Sequence, residues 1–273
     1  MQSKNASTFS VVKKCITFLQ LYASSQLKLK LVHGFSIRHG VPYTNLDFGK
    51  HLIYTLVSLS APMSYAHTIF SHIQDPNIFA WNTMIRGYAE SENPTPALDL
   101  YHKMQVLSIK PDTHTYPFLL KAIAKLADVR LGGKVHSDAI RSGFESLIFV
   151  QNGLVHMYAA FGHVEDAYKV FELMRERDLV AWNSVINGFA LNGRPNEALV
   201  LFREMSLVGV EPDGFTMVSL FSACAELGAL ALGRRAHVYM SKVGLSENLN
   251  VNNALLDFYA KGDCKSSTLA IRA

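Results

Sequence analysis

The chain has 273 residues, 49% of them hydrophobic and 18% charged, with a formal net charge of +4. That apolar fraction excludes a disordered chain, and 17 Gly with 9 Pro exclude collagen-like or low-complexity sequence. A balance of +4 is too mild to announce a nucleic-acid partner by bulk charge.

At the N-terminus, residues 1–9 form a leading segment without the long apolar core of a secretory signal. No acidic residue precedes Asp47, and Lys4, Lys13, Lys14, Lys28, Lys30 and Arg38 make this stretch compatible with organelle import. Two later windows, His51 to Gln74 and Ser146 to Val164, contain no Asp, Glu, Lys or Arg. Their histidines, serines, amides and Pro62 are costly in lipid, so buried helices are expected there and no membrane partner. Cys15, Cys224 and Cys264 are widely spaced and form no CxxC, which argues for buried thiols rather than disulfides or a zinc site.

The two tryptophans, Trp81 and Trp182, both stand in the string Ala-Trp-Asn, 101 residues apart. Sliding the chain by that offset aligns residues 78–112 with 179–213 without a gap, and thirteen of 35 positions are identical. The offset persists downstream, and 101 resolves into units of 35, 35 and 31 residues. The units run 10–46, 47–77, 78–112, 113–147, 148–178, 179–213 and 214–248, with an incomplete unit at 249–273.

Each unit reads as two helices. In 78–112 the first apolar set is Trp81, Met84, Ile85 and Tyr88, and the second is Ala97, Leu100, Tyr101 and Met104. Both follow the 3, 4, 7 spacing of a helical face. Asn93-Pro94 separates them, and Lys110-Pro111-Asp112 ends the second. Neither pair can bury its apolar face alone, so the units must stack. The expected fold is all-α, a right-handed α-solenoid superhelix of helix-turn-helix repeats in 35/35/31-residue triplets. Gly87, Gly188, Ala97 and Ala198 would permit close helix approach.

A 35-residue helical repeat that ends in Lys-Pro-Asp or Glu-Pro-Asp and opens on Ala-Trp-Asn-Thr-Met-Ile-Arg-Gly-Tyr resembles the pentatricopeptide repeat family. The alternation of 35, 35 and 31 is similar to its plant PLS subclass. Phe149-Val-Gln-Asn-Gly-Leu-Val-His-Met-Tyr-Ala-Ala fits the short S unit, and Ser222-Ala-Cys-Ala-Glu-Leu-Gly-Ala-Leu fits the L unit. The likeness makes 10–46, 113–147 and 214–248 L-type, 47–77 and 148–178 S-type, 78–112 and 179–213 P-type, and 249–273 an incomplete S-type unit.

The resemblance implies recognition of single-stranded RNA, about one base per repeat. In this family the fifth and last residues of a repeat read the base edge, which selects Asn82 with Asp112, Asn152 with Asp178, and Asn183 with Asp213. The Asn/Asp combination favours uridine in the family, and a carboxamide can both donate to and accept from a pyrimidine edge. The second residue of a repeat sandwiches the base, which selects Phe79, Phe149 and Val180. Simpler roles compete, because Asn near a helix start commonly caps it and Pro-Asp is ordinary turn chemistry. The remaining pairs read poorly. They are His51 with Asn77, Pro117 with Leu147, and Val218 with Asn248, and the L units are expected to act as spacers or to read weakly. His33, His136 and His237 share one repeat position and are expected to pack or cap rather than bind metal. The thirteenth position, often basic in the family, is Glu90, Ala160, Leu191 and Glu226, with Lys125 and Lys261 the exceptions.

PLS proteins often continue into a zinc deaminase, which needs H-x-E and P-C-x-x-C. His163-Val164-Glu165 satisfies the first, at a repeat turn, and the second does not occur. The chain is therefore expected not to be an enzyme and to need no cofactor, metal or small-molecule substrate. Expected partners are a single-stranded organellar transcript and RNA-editing or processing proteins supplied in trans, in a mitochondrion or chloroplast. The alternatives are a protein-binding helical scaffold, or a non-functional truncated fragment of a longer RNA-editing protein. The last unit favours the fragment, because Gly262 arrives one residue early and the tail from Asp263 loses the apolar face of a second helix.

Overall fold

The computed structural model describes the backbone of residues 2–22, 25–41 and 45–272, and the side chains of 10–21, 25–41 and 45–262. Among the described residues the chain is helix and turn with no strand, as the repeat pattern requires. Two compact units divide at Leu126 and Ala127.

The first unit holds α1 (Gln2–Tyr22), α2 (Gln26–Arg38), α3 (Leu46–Ser58), α4 (Met63–His72), α5 (Ile78–Glu90), α6 (Thr95–Val106) and α7 (Thr115–Leu126). The second holds α8 (Val129–Arg141), α9 (Ile148–Ala160), α10 (Val164–Leu173), α11 (Leu179–Leu191), α12 (Pro195–Leu207), α13 (Gly214–Leu227), α14 (Leu230–Lys242) and α15 (Leu249–Arg272). Within each unit the helices pair as antiparallel neighbours and stack. In the first, α3 packs on α4 and α5, and α5 packs on α6 and α7. In the second, α9, α11, α13 and α15 pack in succession, with α10, α12 and α14 behind them. This stacking of helical hairpins is the arrangement of an α-solenoid.

The faces assigned from spacing are the buried ones. Trp81, Met84, Ile85 and Tyr88 on α5 are buried, as are Ala97, Leu100, Tyr101 and Met104 on α6. Trp81 meets Phe70 edge-on at 4.8 Å, and its indole N–H donates to Pro76 O at 3.0 Å. Trp182 meets Phe171 at 4.8 Å in the same way. Edge-to-face packing suits the ring quadrupoles and adds to the area that each indole buries. The two tryptophans thus anchor equivalent hairpins.

Close approach needs missing side-chain atoms. A Cβ on Gly188 would lie 2.7 Å from Ala159 Cβ, and one on Gly87 would lie 2.7 Å from Met63 Cε. Helix starts are capped by side chains from the turn. Asn45, Asn77, Asp128, Asp178 and Asp213 accept from the N–H three residues on, which satisfies a donor that the helix leaves open.

The shared histidine position packs against tyrosine. His136 Nδ1 lies 2.8 Å from Tyr158 Oη, and His237 Nδ1 lies 3.1 Å from Tyr259 Oη. His33 pairs with Tyr65. Burial lowers the His136 pKa, against a smaller opposing pull from Glu145. Cys15 and Cys224 are buried, and burial pushes the Cys224 thiol up to about 11. Cys264 lies outside the described side chains. No helix among the described residues is long and apolar enough to cross a membrane.

The last element differs from its counterpart. Phe161-Gly162-His163 separates α9 from α10, whereas α15 runs without a turn to Arg272. Gly262 sits inside α15, where a Cβ would lie 2.6 Å from Leu230 Cδ2. The tail from Asp263 lies outside the described side chains.

Candidate nucleic-acid interface

Asn82, Asn152 and Asn183 are each the fifth residue of their helices, α5, α9 and α11. They are therefore not caps. The preceding residue caps α5 and α11, as Asn77 and Asp178, while Leu147 before α9 makes no side-chain cap, and each amide instead reaches the Asp that follows its own hairpin. Asn82 Nδ2 donates to Asp112 Oδ1 at 2.8 Å. Asn183 Nδ2 donates to Asp213 Oδ1 at 3.0 Å. Asn152 Nδ2 lies 3.1 Å from both oxygens of Asp178. The three pairs chosen by repeat position are thus three hydrogen-bonded pairs, spanning 26 to 30 residues of chain.

The carboxylates also serve the backbone. Asp178 caps α11 by accepting from Ala181 N–H at 2.9 Å, and Asp213 caps α13 from Thr216 N–H at 3.0 Å. Asp112 accepts from the N–H groups of His114 and Thr115 at 2.9 and 3.1 Å. Turn chemistry and side-chain pairing are therefore two uses of one carboxylate. At Asp213 burial raises the pKa, but bonds from Thr216 N–H, Asn183, the Thr216 hydroxyl and Phe215 N–H outweigh it and hold the carboxyl below its usual value. It is ionised near neutrality and accepts only.

Each pair has an apolar side chain one turn earlier on the same helix. Phe79, Phe149 and Val180 stand three residues before Asn82, Asn152 and Asn183 and share their helix flank. They are 44%, 70% and 56% exposed, although every first helix has a buried face available for apolar residues. Large apolar groups held in solvent beside hydrogen-bonding amides are what a base needs, a face to stack on and an edge to pair with.

The other positions do not form such sites. His51 Nδ1 faces Asp47 O at 2.7 Å, while Asn77 caps α5. Asn248 Oδ1 accepts from Asn250 and Val251 N–H at the start of α15. The two basic thirteenth-position residues are engaged. Lys125 Nζ donates to Glu90 O and Ser91 O, and Lys261 pairs with Asp257. In the H-x-E string, Glu165 pairs with Arg194, and His163 stands at the start of α10.

The repeats match known proteins. The PPR repeat family matches at residues 76–125 and 177–226, and a single PPR repeat matches at 152–179. Over 256 residues, 92% of this chain, the sequence is 60% identical to pentatricopeptide repeat-containing protein At4g21065 of Arabidopsis thaliana. The chain belongs to the pentatricopeptide repeat family. A second Arabidopsis pentatricopeptide repeat protein, At1g59720, named as chloroplastic/mitochondrial, is 38% identical over 98% of the chain. The chain spans 43% and 42% of these two relatives. Among solved structures, the maize pentatricopeptide repeat protein PPR10 shares the fold, with a TM-score of 0.60 over 95% of this chain and 43% of that one, at 16% identity. PPR10 in complex with an 18-nucleotide psaJ RNA element gives 0.65 over 98% of this chain and 39% of that one, also at 16% identity.

Within this pentatricopeptide repeat chain, sequence reasoning missed three residues beside the pairs. Phe215, the second residue of α13, is 77% exposed and occupies in α13 the place that Phe149 holds in α9. Thr115 and Thr216 are fully buried, and their hydroxyls reach Asn82 and Asn183. The signal was available, since Thr115 and Thr216 stand 101 residues apart, three after each Pro-Asp.

Proposed function

We propose that the chain binds single-stranded RNA and reads one base at each of Asn82/Asp112, Asn152/Asp178 and Asn183/Asp213, with Phe79, Phe149 and Val180 against the base faces. The observation that carries this reading is the recurrence of one arrangement at three sites, a carboxamide bonded to an acceptor-only carboxylate with an exposed apolar residue one turn away. After its bond to Asp, each amide keeps one N–H and carbonyl lone pairs, enough for a pyrimidine edge. The fold of PPR10, and the RNA in one of its structures, support the reading by likeness. Binding and positioning then account for the role, with any catalysis supplied by another domain or protein.

The 35/35/31 alternation supports PLS-type units with the boundaries given above, and hence a site-recognition role in organellar RNA processing or C-to-U editing. The names of relatives, chloroplastic/mitochondrial and mitochondrial, support a mitochondrial or chloroplast location. A randomised single-stranded RNA selection on the purified chain tests the reading. In repeat order, the units at 78–112, 113–147, 148–178 and 179–213 predict enrichment of U-N-U-U, with N any base. Recovery of RNA with no base preference would instead favour a protein-binding scaffold.

A further inference from the structure

We infer that Thr115 and Thr216 are positioning residues for base discrimination: each hydroxyl locks the carboxamide of its Asn, and the Asn152 site lacks this lock. The inference rests on the base-reading function proposed above.

A carboxamide can turn by 180° and exchange its oxygen and nitrogen. Uracil presents an N3–H donor beside carbonyl acceptors, whereas cytosine presents an N3 acceptor beside an amino donor. A carboxamide free to flip therefore matches either pyrimidine, and a fixed one discriminates between them. An acceptor on the nitrogen side opposes the flip, and a donor on the oxygen side opposes it further.

Both groups are present at Asn82 and Asn183. Asp112 and Asp213 accept from Nδ2 at 2.8 and 3.0 Å. The Thr115 hydroxyl lies 2.8 Å from Asn82 Oδ1, and the Thr216 hydroxyl lies 2.6 Å from Asn183 Oδ1. Each hydroxyl has a single proton, so its target matters. The competing acceptors, Asp112 Oδ1 and Asp213 Oδ1, are farther, at 3.2 and 3.0 Å, and already receive backbone and amide donors. The hydroxyl oxygen in turn accepts from Asp112 N–H at 3.0 Å and Asp213 N–H at 3.1 Å. That leaves the proton pointing at the amide oxygen. The same closed ring, Asp to Asn to Thr and back to Asp, forms once in each compact unit.

The third site is a natural control. Three residues after Asp178 stands Ala181, which has no hydroxyl. Asn152 is 7% exposed, and its Oδ1 is buried without a hydrogen-bond partner. A buried carbonyl left open is costly and is satisfied by the next donor to arrive. In the proposed complex that donor is the base, and Asn152, held on its nitrogen side alone, should discriminate U from C less sharply than Asn82 and Asn183.

The test is the per-position U-to-C ratio from the RNA selection, run on the full chain and on Thr115→Val, Thr216→Val, Thr216→Ser and Ala181→Thr. Valine keeps the shape and removes the hydroxyl. Each Thr→Val chain should lose about three- to tenfold of the ratio at its own base, the size of one neutral hydrogen bond, with the other two bases unmoved. Thr216→Ser should retain the ratio. Ala181→Thr should raise the ratio at the Asn152 base. A purely structural role would weaken all RNAs together and leave the ratios unchanged, and that result overturns the inference while leaving base reading intact. An Ala181→Thr chain that binds RNA with no sharper ratio overturns it as well, and this arm decides the matter if the valine variants do not fold. No base preference in the unaltered chain removes base reading and the inference together.

Discussion

Asp213 carries two loads that substitution can separate. Its carboxylate closes a capping box with Thr216 at the start of α13 and also accepts from Asn183. Replacing Asp213 by Ala removes the cap, which costs about 1 kcal/mol. It also strands the Asn183 amide, whose lost partner adds about 1–2 kcal/mol. The expected total is about 2–3 kcal/mol. Asp213→Asn keeps an oxygen for the cap, and Asn caps as well as Asp, so the loss should stay below about 1 kcal/mol. The oxygen that caps α13 also accepts from Asn183, so that bond survives, but an NH2 donor replaces the second oxygen and the charge is lost, and selection at the Asn183 base should relax from U towards C. Urea unfolding followed by circular dichroism measures the first effect, and RNA selection measures the second. Equal destabilisation by Ala and Asn would refute the assignment of the cap to the side-chain oxygen. An unchanged base preference in Asp213→Asn would refute the carboxylate's part in reading. Because the Asp213 pKa is depressed, its stabilisation is fully present above about pH 4, the usual carboxylate value, and is lost as pH falls through the lower folded value.

Other expectations concern the core, the histidines and the exposed ring. Trp182→Ala empties the slot against Phe171 and should cost about 3–5 kcal/mol in urea unfolding, while Gly188→Val drives atoms into Ala159 and should cost about 1–3 kcal/mol. His136 has a lowered folded pKa, so its neutral form stabilises fully above about pH 6.5 and that contribution is lost as pH falls towards the folded value. Melting temperature should therefore drop between pH 7.5 and 5.5, and His136→Phe should flatten that slope. Phe215→Ala and Phe149→Ala should leave the melting temperature within a degree or two, because both rings are exposed, yet weaken RNA binding by about 1–3 kcal/mol each. Loss of stability without loss of binding would place these rings in the fold instead.

The hairpins were legible because each is written locally. Trp81, Met84, Ile85 and Tyr88 encode a buried stripe by spacing alone, and the 101-residue offset repeats that stripe at Trp182. The Asn/Asp pairs were legible only through repeat position, since 26 to 30 residues separate partners that three dimensions bring within 3.1 Å. Thr115 and Thr216 escaped because a threonine three residues after a capping Asp already has a local explanation. Their second bond, to an amide 33 residues away, closes only when hairpins stack. His136 was expected to pack or cap, but its partner Tyr158, 22 residues along the chain, was not legible because it comes from the next helix. The run of α15 through Gly262 was hidden because glycine beside a polar stretch signals a turn, whereas the approach to Leu230 also calls for glycine.

The central claim is that placed amides, not bulk charge, choose the RNA. Fluorescence anisotropy at one fixed salt concentration should compare the purified chain on two short single strands, one carrying U-N-U-U and one carrying C-N-C-C. Fixed salt holds the sequence-independent phosphate contribution constant. The two sites with a threonine hydroxyl should each contribute about three- to tenfold and the Asn152 site less, so the U strand should bind at least about tenfold more tightly. Equal affinity for the two strands would contradict the account.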